Sequence, residues 1–144
     1  MTNPGGKSEI FHLILIRPTH YDDDGYLLQW RLSYIPANTL ACLNGIAEDC
    51  RIRKVLGEAV DLRICPIDET NRRIRPDKLI AMIRRDHARA LVGLVGVQSN
   101  QFPRAMDLAR EFRAAGLPVS IGGFHVSGCL AMLDGLTPEL AEAQ

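Results

Sequence analysis

Two short apolar runs in the second half of the chain each break off into residues that can bind a ligand. The first run, 92–97, is followed by hydroxyl and amide side chains, and the second, 119–121, is followed by glycine and an imidazole. The residues concerned are Ser99, Asn100, Gly122, Gly123 and His125. When neighbouring parallel strands end side by side, such residues line a crevice, and glycine lets a ligand approach the backbone closely. The pattern predicts a nucleotide-like or cofactor-binding sheet edge.

Each of these residues also has a structural interpretation. Ser99 or Asn100 could cap the helix that follows, and capping is compatible with ligand contact. His125 could be a loop histidine whose hydrogen bonds are made within the protein. The adjacent pair Gly122–Gly123 is harder to explain by a turn alone, because one glycine is enough for most turns. We therefore interpret the pair as a point of close approach to a ligand.

A histidine and three aspartates follow the first apolar run of the chain. His20 and Asp22 to Asp24 could hold a metal ion, because carboxylate and imidazole are both metal ligands. A solvated acidic loop is the commoner explanation of such a charge run, and we favour it. The chain has no phosphate loop, dinucleotide glycine fingerprint or nucleophile elbow, which argues against the commonest nucleotide-binding and hydrolase families.

Strand-like and helix-like patterns alternate four times and would position these residues. Strands are predicted at 10–16, 60–64, 91–97 and 119–121. Helices are predicted from about residue 37 into the low 50s, from Pro76 with His87 on its inner face, from Pro103 to Gly116, and over 126–133. The alternation predicts an α/β, Rossmann-like (flavodoxin-like) doubly wound parallel sheet in three layers. No strand pattern follows Leu133, so we expect the sheet to lack its fifth strand.

Length and composition limit the class of protein. The chain has 144 residues, of which 47% are hydrophobic, and its 17 basic residues balance 17 acidic ones. This fits one domain, expected over 10–133, and does not indicate a nucleic-acid or membrane partner.

Residues 1–9 are expected to be a disordered leader without a signal-peptide hydrophobic region, so the cytoplasm is the expected compartment. Residues 134–144 are expected to be a tail or truncated linker, and the open sheet edge could pair with a second copy.

The four cysteines do not form a recognised metal or redox motif. They are widely and irregularly spaced, unlike the cysteines of zinc, iron–sulfur or dithiol sites. We expect buried, reduced thiols, with Cys42 in a helix and Cys65 in a buried strand.

Three segments together resemble a known family. They are Arg17-Pro18 after the first strand, the stretch 92–105 and the stretch 121–128. With them, residues 10–133 resemble the cobalamin-binding domain that precedes the catalytic barrel of B12-binding radical SAM proteins. The resemblance implies a flavodoxin-like fold with cobalamin at the carboxyl edge of the sheet. It also implies binding roles near the nucleotide tail of the corrinoid for Ser99, Gly122, Gly123 and His125. Together with Asn100, these residues are expected to bind the cofactor and not to act as catalysts.

The chain departs from the family pattern in two places. Cobalamin domains of the methionine synthase type carry Asp-x-His-x-x-Gly after the first strand, with the histidine on cobalt. Here Pro18 replaces the aspartate and Asp23 the glycine, so His20 is only a weak candidate for a cobalt ligand, since nothing orients its imidazole. The Cys-x-x-x-Cys-x-x-Cys motif is also absent. The iron–sulfur cluster and SAM would therefore belong to a radical SAM domain outside this sequence, either C-terminal or separate.

Two other functions remain open. A degenerate regulatory or protein-interaction domain would keep the fold without a cofactor, with Gln98, Gln101 and Phe124 turned inward to fill the crevice. A flavin or nucleotide binder is the third possibility, because the same sheet edge suits many ligands.

Overall fold

The computed structural model describes residues 8–30 and 37–132. The elements in chain order are β1 (Glu9–Arg17), α1 (Asn38–Ile52), β2 (Val60–Asp68), α2 (Pro76–Arg85), β3 (Arg89–Leu94), α3 (Phe102–Ala114), β4 (Val119–Ile121) and α4 (Phe124–Met132). The strands form one parallel sheet in the order β2-β1-β3-β4. This order matches the flavodoxin-like order up to its fourth strand, and the predicted α/β Rossmann-like fold is confirmed. The described residues contain no fifth strand.

The predicted elements agree with the observed ones except at some boundaries. Strand β2 was predicted to stop before Pro66 but continues to Asp68, and Pro66 pairs with Leu15 of β1. A proline is tolerated there because β2 is an edge strand, which makes ladder hydrogen bonds on one side only. Strand β3 ends at Leu94, three residues before the predicted end at residue 97. A turn at Gly96, where φ is +65°, follows it. Residues 1–7 and 133–144, which hold most of the predicted leader and the whole predicted tail, lie outside the described residues.

The main core lies on the face of the sheet covered by α2 and α3. Strand β1 is central, and its apolar run buries Ile14 and Ile16 completely. They pack with strand β3 and with the inner face of α3, whose Leu108 and Phe112 are also fully buried. Burial of each such side chain contributes about 1.5–3 kcal/mol. This face is therefore the principal source of stability.

Among the described elements, α1 is the one that covers the opposite face. A small buried cluster of Leu15, Leu40 and Val95 joins α1 to the sheet. Beside it runs an apolar groove of about 350 Å³, lined by Phe11, Leu13, Leu15, Leu43, Ile46, Ala47, Cys50, Val55, Leu56, Leu62 and Leu91. Parallel sheets are normally covered on both faces. Within the described part of the chain, this face remains partly uncovered.

Two predictions of side-chain burial are wrong. His87 was expected to face inward from the second helix, but it is exposed and lies after the end of α2, in a turn where its φ is +48°. Cys42 was expected to be a buried thiol but is exposed, because it lies off the stripe of α1 that buries Leu40 and Ala47. The other three cysteines are half-buried, and all four are free.

Candidate functional site

The carboxyl ends of β3 and β4 bring the loops that follow them into contact. The backbone N–H of Gly122 donates to the carbonyl of Leu94 at 2.9 Å, and that of Val97 donates to the carbonyl of Gly122 at 3.0 Å. The N–H of His125 then donates to the carbonyl of Val97 at 3.1 Å. Because these bonds hold the loops side by side, Ser99 and the start of α4 become neighbours.

His125 is the residue that links the two loops through its side chain. Its Nδ1 lies 3.1 Å from the hydroxyl oxygen of Ser99. Its ring packs against Phe102, with centroids 4.3 Å apart, and its Nε2 lies 3.8 Å from the sulfur of Cys129. The half-buried imidazole is therefore held between α3, the loop after β3 and the next turn of α4.

The two glycines after β4 have different environments. Gly123 has φ +144°, and a Cβ there would collide with the backbone nitrogen and oxygen of Val97. Its lack of a side chain is thus explained by close approach of the chain to itself. Gly122 is exposed, has no positive φ, and has no atom within 4 Å of the place where a Cβ would lie. Of the pair, Gly122 is the one that offers bare backbone to the space above the sheet edge.

The loop after β3 presents exposed polar groups at the same edge. Ser99 and Asn100 are both exposed, and α3 has no side-chain cap, so the capping interpretation does not describe them. Gln101 is buried instead: its amide nitrogen donates to the carbonyl of Pro18 at 2.8 Å, and its amide oxygen accepts from the N–H of Gln98 at 3.0 Å. It ties the loops after β1 and β3 together.

Only one of the three residues expected to fill an unused crevice turns inward. Gln101 is 5% exposed, whereas Gln98 is exposed and the Phe124 side chain points into solvent at 79% exposure. The edge formed by Ser99, Asn100 and Gly122 is therefore left open by these residues.

The acidic loop after β1 is organised as a local turn. Asp22 accepts hydrogen bonds from the N–H groups of Asp24 and Tyr26, and Gly25 takes φ +83°. Asp23 and Asp24 are exposed. His20 is half-buried. Among residues 8–30 and 37–132, no three His, Cys, Asp or Glu side chains are grouped so that they could hold a metal ion.

A buried ion pair lies beneath the edge and was not predicted from the sequence. Glu69, fully buried directly after β2, accepts two parallel bonds from Arg104 of α3, with Nε–Oε2 3.1 Å and Nη2–Oε1 2.6 Å. It also accepts from the N–H of Thr19 at 3.2 Å. Bidentate charge-assisted pairs are strong and specific in geometry. The pair fixes α3 against the ends of β1 and β2.

The side chain of Tyr21 connects the loop after β1 to α3. Its hydroxyl donates to a carboxylate oxygen of Asp107. Burial, followed by the hydrogen bond to that carboxylate, raises the pKa of Tyr21 above its ordinary value. The neutral phenol is therefore the form that the folded protein favours.

Helix α4 is apolar and lies at the margin of the fold. None of its residues is buried, and Phe124, Leu130 and Met132 are exposed. The described helices include none with both the length and the hydropathy needed to cross a membrane.

Comparison of the chain with protein-family models, with curated proteins and with solved structures found no significant match.

Proposed function

We propose that the carboxyl edge of β3 and β4 binds cobalamin and that the domain is the cofactor-binding module of a radical SAM enzyme, with methyl transfer as its reaction class. One observation carries the proposal: the Oγ of Ser99 and the Nδ1 of His125 lie 3.1 Å apart at the sheet edge, where the Cβ position of Gly122 faces open space. The resemblance in the sequence assigns these same residues to the nucleotide tail. When bound, cobalamin supplies cobalt-centred chemistry that no protein side chain provides.

The residues at this edge fit the chemistry of a nucleotide tail. Such a tail carries phosphate and hydroxyl oxygens, which the Ser99 hydroxyl and the Asn100 amide are able to hydrogen-bond. Gly122 has room for the tail to pass close to the backbone. Gly123 contributes indirectly, because it keeps the two loops in contact through Val97. In this proposal the chain orients the tail, and Ser99 also fixes the ring of His125.

The loop after β1 does not fit the role of a cobalt ligand. Within the described residues no carboxylate contacts the imidazole of His20, and Asp22 is used in its own turn. A ligating histidine normally has such a partner to orient it. We assign His20 no part in cofactor binding.

Retention of hydroxocobalamin tests the proposal. The purified chain would be mixed with hydroxocobalamin and desalted, and its visible spectrum recorded. Gly122→Phe should abolish retention, because the ring would fill the space above the edge without backbone strain. Gly45→Phe is the matched control, since Gly45 also has open space around its Cβ position but lies on α1. No corrinoid absorbance in the wild-type chain, or equal retention in the two variants, would refute the proposal.

A second candidate function is protein interaction without a cofactor. It is favoured by the uncovered apolar surfaces, namely the groove beside α1 and the exposed side chains of α4. The same experiment separates the two candidates, because an interaction domain would retain no corrinoid. Parallel samples with FMN and ATP would identify a flavin or nucleotide binder.

The proposed partner is a radical SAM domain that supplies the iron–sulfur cluster and SAM. The proposed compartment is the cytoplasm, and the four free cysteines agree with a reducing environment. Pairing of two copies through the outer edge of β4 stays a prediction.

A further inference from the structure

His125 and Cys129 are four residues apart on α4 and therefore share one face of the helix. Their Nε2 and Sγ atoms are 3.8 Å apart. A tetrahedral zinc ion bound to both would hold these two atoms about 3.5 Å apart, given its usual bond lengths to histidine nitrogen and cysteine sulfur. The observed distance between Nε2 and Sγ is therefore close to the distance between two ligand atoms bound to one zinc ion.

The imidazole is oriented in the way that metal-binding histidines usually are. A metal-bound histidine commonly uses its second ring nitrogen in a hydrogen bond that fixes the ring. Here Nδ1 is engaged by the Ser99 hydroxyl at 3.1 Å, and the ring is held against Phe102. Nε2 is left directed at the sulfur. The spacing of the two residues on the helix does not by itself require a residue of a different loop to hold the ring. The bond to Ser99 is therefore a separate observation.

We propose that His125 and Cys129 bind a thiophilic divalent cation of the zinc class, with Ser99 as the positioning residue. Imidazole and thiolate together favour zinc over magnesium or calcium, which prefer oxygen ligands. The pair supplies two ligands, and water or a further ligand would complete the shell of the ion. Binding displaces the thiol proton, so that one proton leaves for each ion bound.

This inference goes beyond the proposed function and does not rest on it. Cobalamin carries its own metal, and Cys129 is not among the residues assigned to its tail. Cys129→Ser should therefore remove the cation site and leave hydroxocobalamin retention unchanged. Failure of one proposal leaves the other standing.

Titration of the full chain with Co²⁺ alone, in a reductant that contains no thiol, tests the site. Co²⁺ substitutes for zinc and reports a thiolate ligand by a charge-transfer band in the near ultraviolet. We expect this band in the wild-type chain and its loss in Cys129→Ser.

The other cysteines provide internal controls. Cys42 is exposed and free, so Cys42→Ser should keep the band unchanged. Ser99→Ala should leave the band in place but weaken Co²⁺ binding about tenfold, because the imidazole loses its orienting bond. Circular dichroism of each variant shows that the fold is retained. Absence of the band in the wild-type chain, or its persistence in folded Cys129→Ser, would overturn the assignment.

Discussion

Helices α3 and α4 both begin at the carboxyl edge of the sheet, yet only α3 is part of the core. Seven of the thirteen residues of α3 are buried, whereas none of the nine in α4 is. Composition alone would suggest the reverse, because α4 carries no charged residue and α3 carries five. The five in α3 are Arg104, Asp107, Arg110, Glu111 and Arg113. Burial here follows position in the sheet. Helix α3 lies across β3 and β4 and also packs against α2, while α4 follows the three-residue edge strand β4.

The same contrast divides the candidate site into a half anchored by buried groups and a half anchored by exposed ones. On the α3 side, Arg104 is anchored by the fully buried carboxylate of Glu69, and loss of one partner of such a pair costs about 3–5 kcal/mol. On the α4 side, His125 is anchored by the exposed Ser99 hydroxyl.

The largest expected difference between the two helices comes from removing one phenylalanine from each. Phe112 in α3 is completely buried, and Phe112→Ala should lower the free energy of unfolding by about 3–5 kcal/mol because it leaves a cavity. Phe124 in α4 is 79% exposed, and Phe124→Ala should change it by less than about 0.5 kcal/mol. Urea unfolding followed by circular dichroism measures both values.

A large loss of stability in Phe124→Ala would mean that α4 is covered in solution. In that case the comparison between the helices would fail, and the loss should depend on protein concentration if a second copy covers it.

The two adjacent glycines give the next largest effect. They test the contact between the two loops that lead into α3 and α4. Gly123→Ala should destabilise the fold by about 2–3 kcal/mol, because alanine is strained at φ +144° and its Cβ collides with Val97. Gly122→Ala should be neutral or slightly stabilising, by up to about 1 kcal/mol, because its Cβ position is open and alanine restricts the unfolded chain. Thermal unfolding of the two variants in parallel provides the measurement. Equal destabilisation would contradict the difference in environment.

Much of the fold could be predicted because its signals are periodic and local. The apolar run of β1 and the proline and glycine residues around α3 identify those elements without tertiary information. The burial of individual side chains was harder to predict from the sequence. Cys42 lies two residues beyond the buried Leu40, and a small error in the phase of the helix reverses the prediction.

The candidate site was predictable only as far as chain order and sheet topology determine it. That Ser99 and His125 meet follows from parallel pairing of β3 and β4. The role of Gly123 could not be predicted, because a ligand and the chain's own backbone require the same absence of a side chain. Arg104 was missed since arginine is usually exposed. A signal was available, however: Arg104 shares a helical stripe with Leu108 and Phe112.

The smallest effect concerns the hydrogen bond that joins the loop after β1 to α3. Its donor is the Tyr21 hydroxyl and its acceptor is Asp107, and burial followed by this bond raises the pKa of Tyr21. Because the folded protein favours the neutral phenol, the stabilisation is fully present below the ordinary tyrosine pKa of about 10 and is lost as the pH rises through the higher folded value. Tyr21→Phe should therefore cost about 1 kcal/mol at pH 7 and progressively less above pH 10.

Urea unfolding of the wild-type chain and of Tyr21→Phe at a series of pH values from 7 to above 10 provides the test. Tyr26→Phe is the control, since Tyr26 is 73% exposed and no bond of its hydroxyl joins it to α3 in the described structure. The control should follow the wild-type curve throughout. Equal stability of the wild type and Tyr21→Phe at pH 7, or a difference that stays constant across pH 10, would contradict the assigned bond, because phenylalanine keeps the ring and lacks only the ionisable hydroxyl. The anchoring of α3 would then rest on Arg104 and Gln101, with no contribution from the tyrosine hydroxyl.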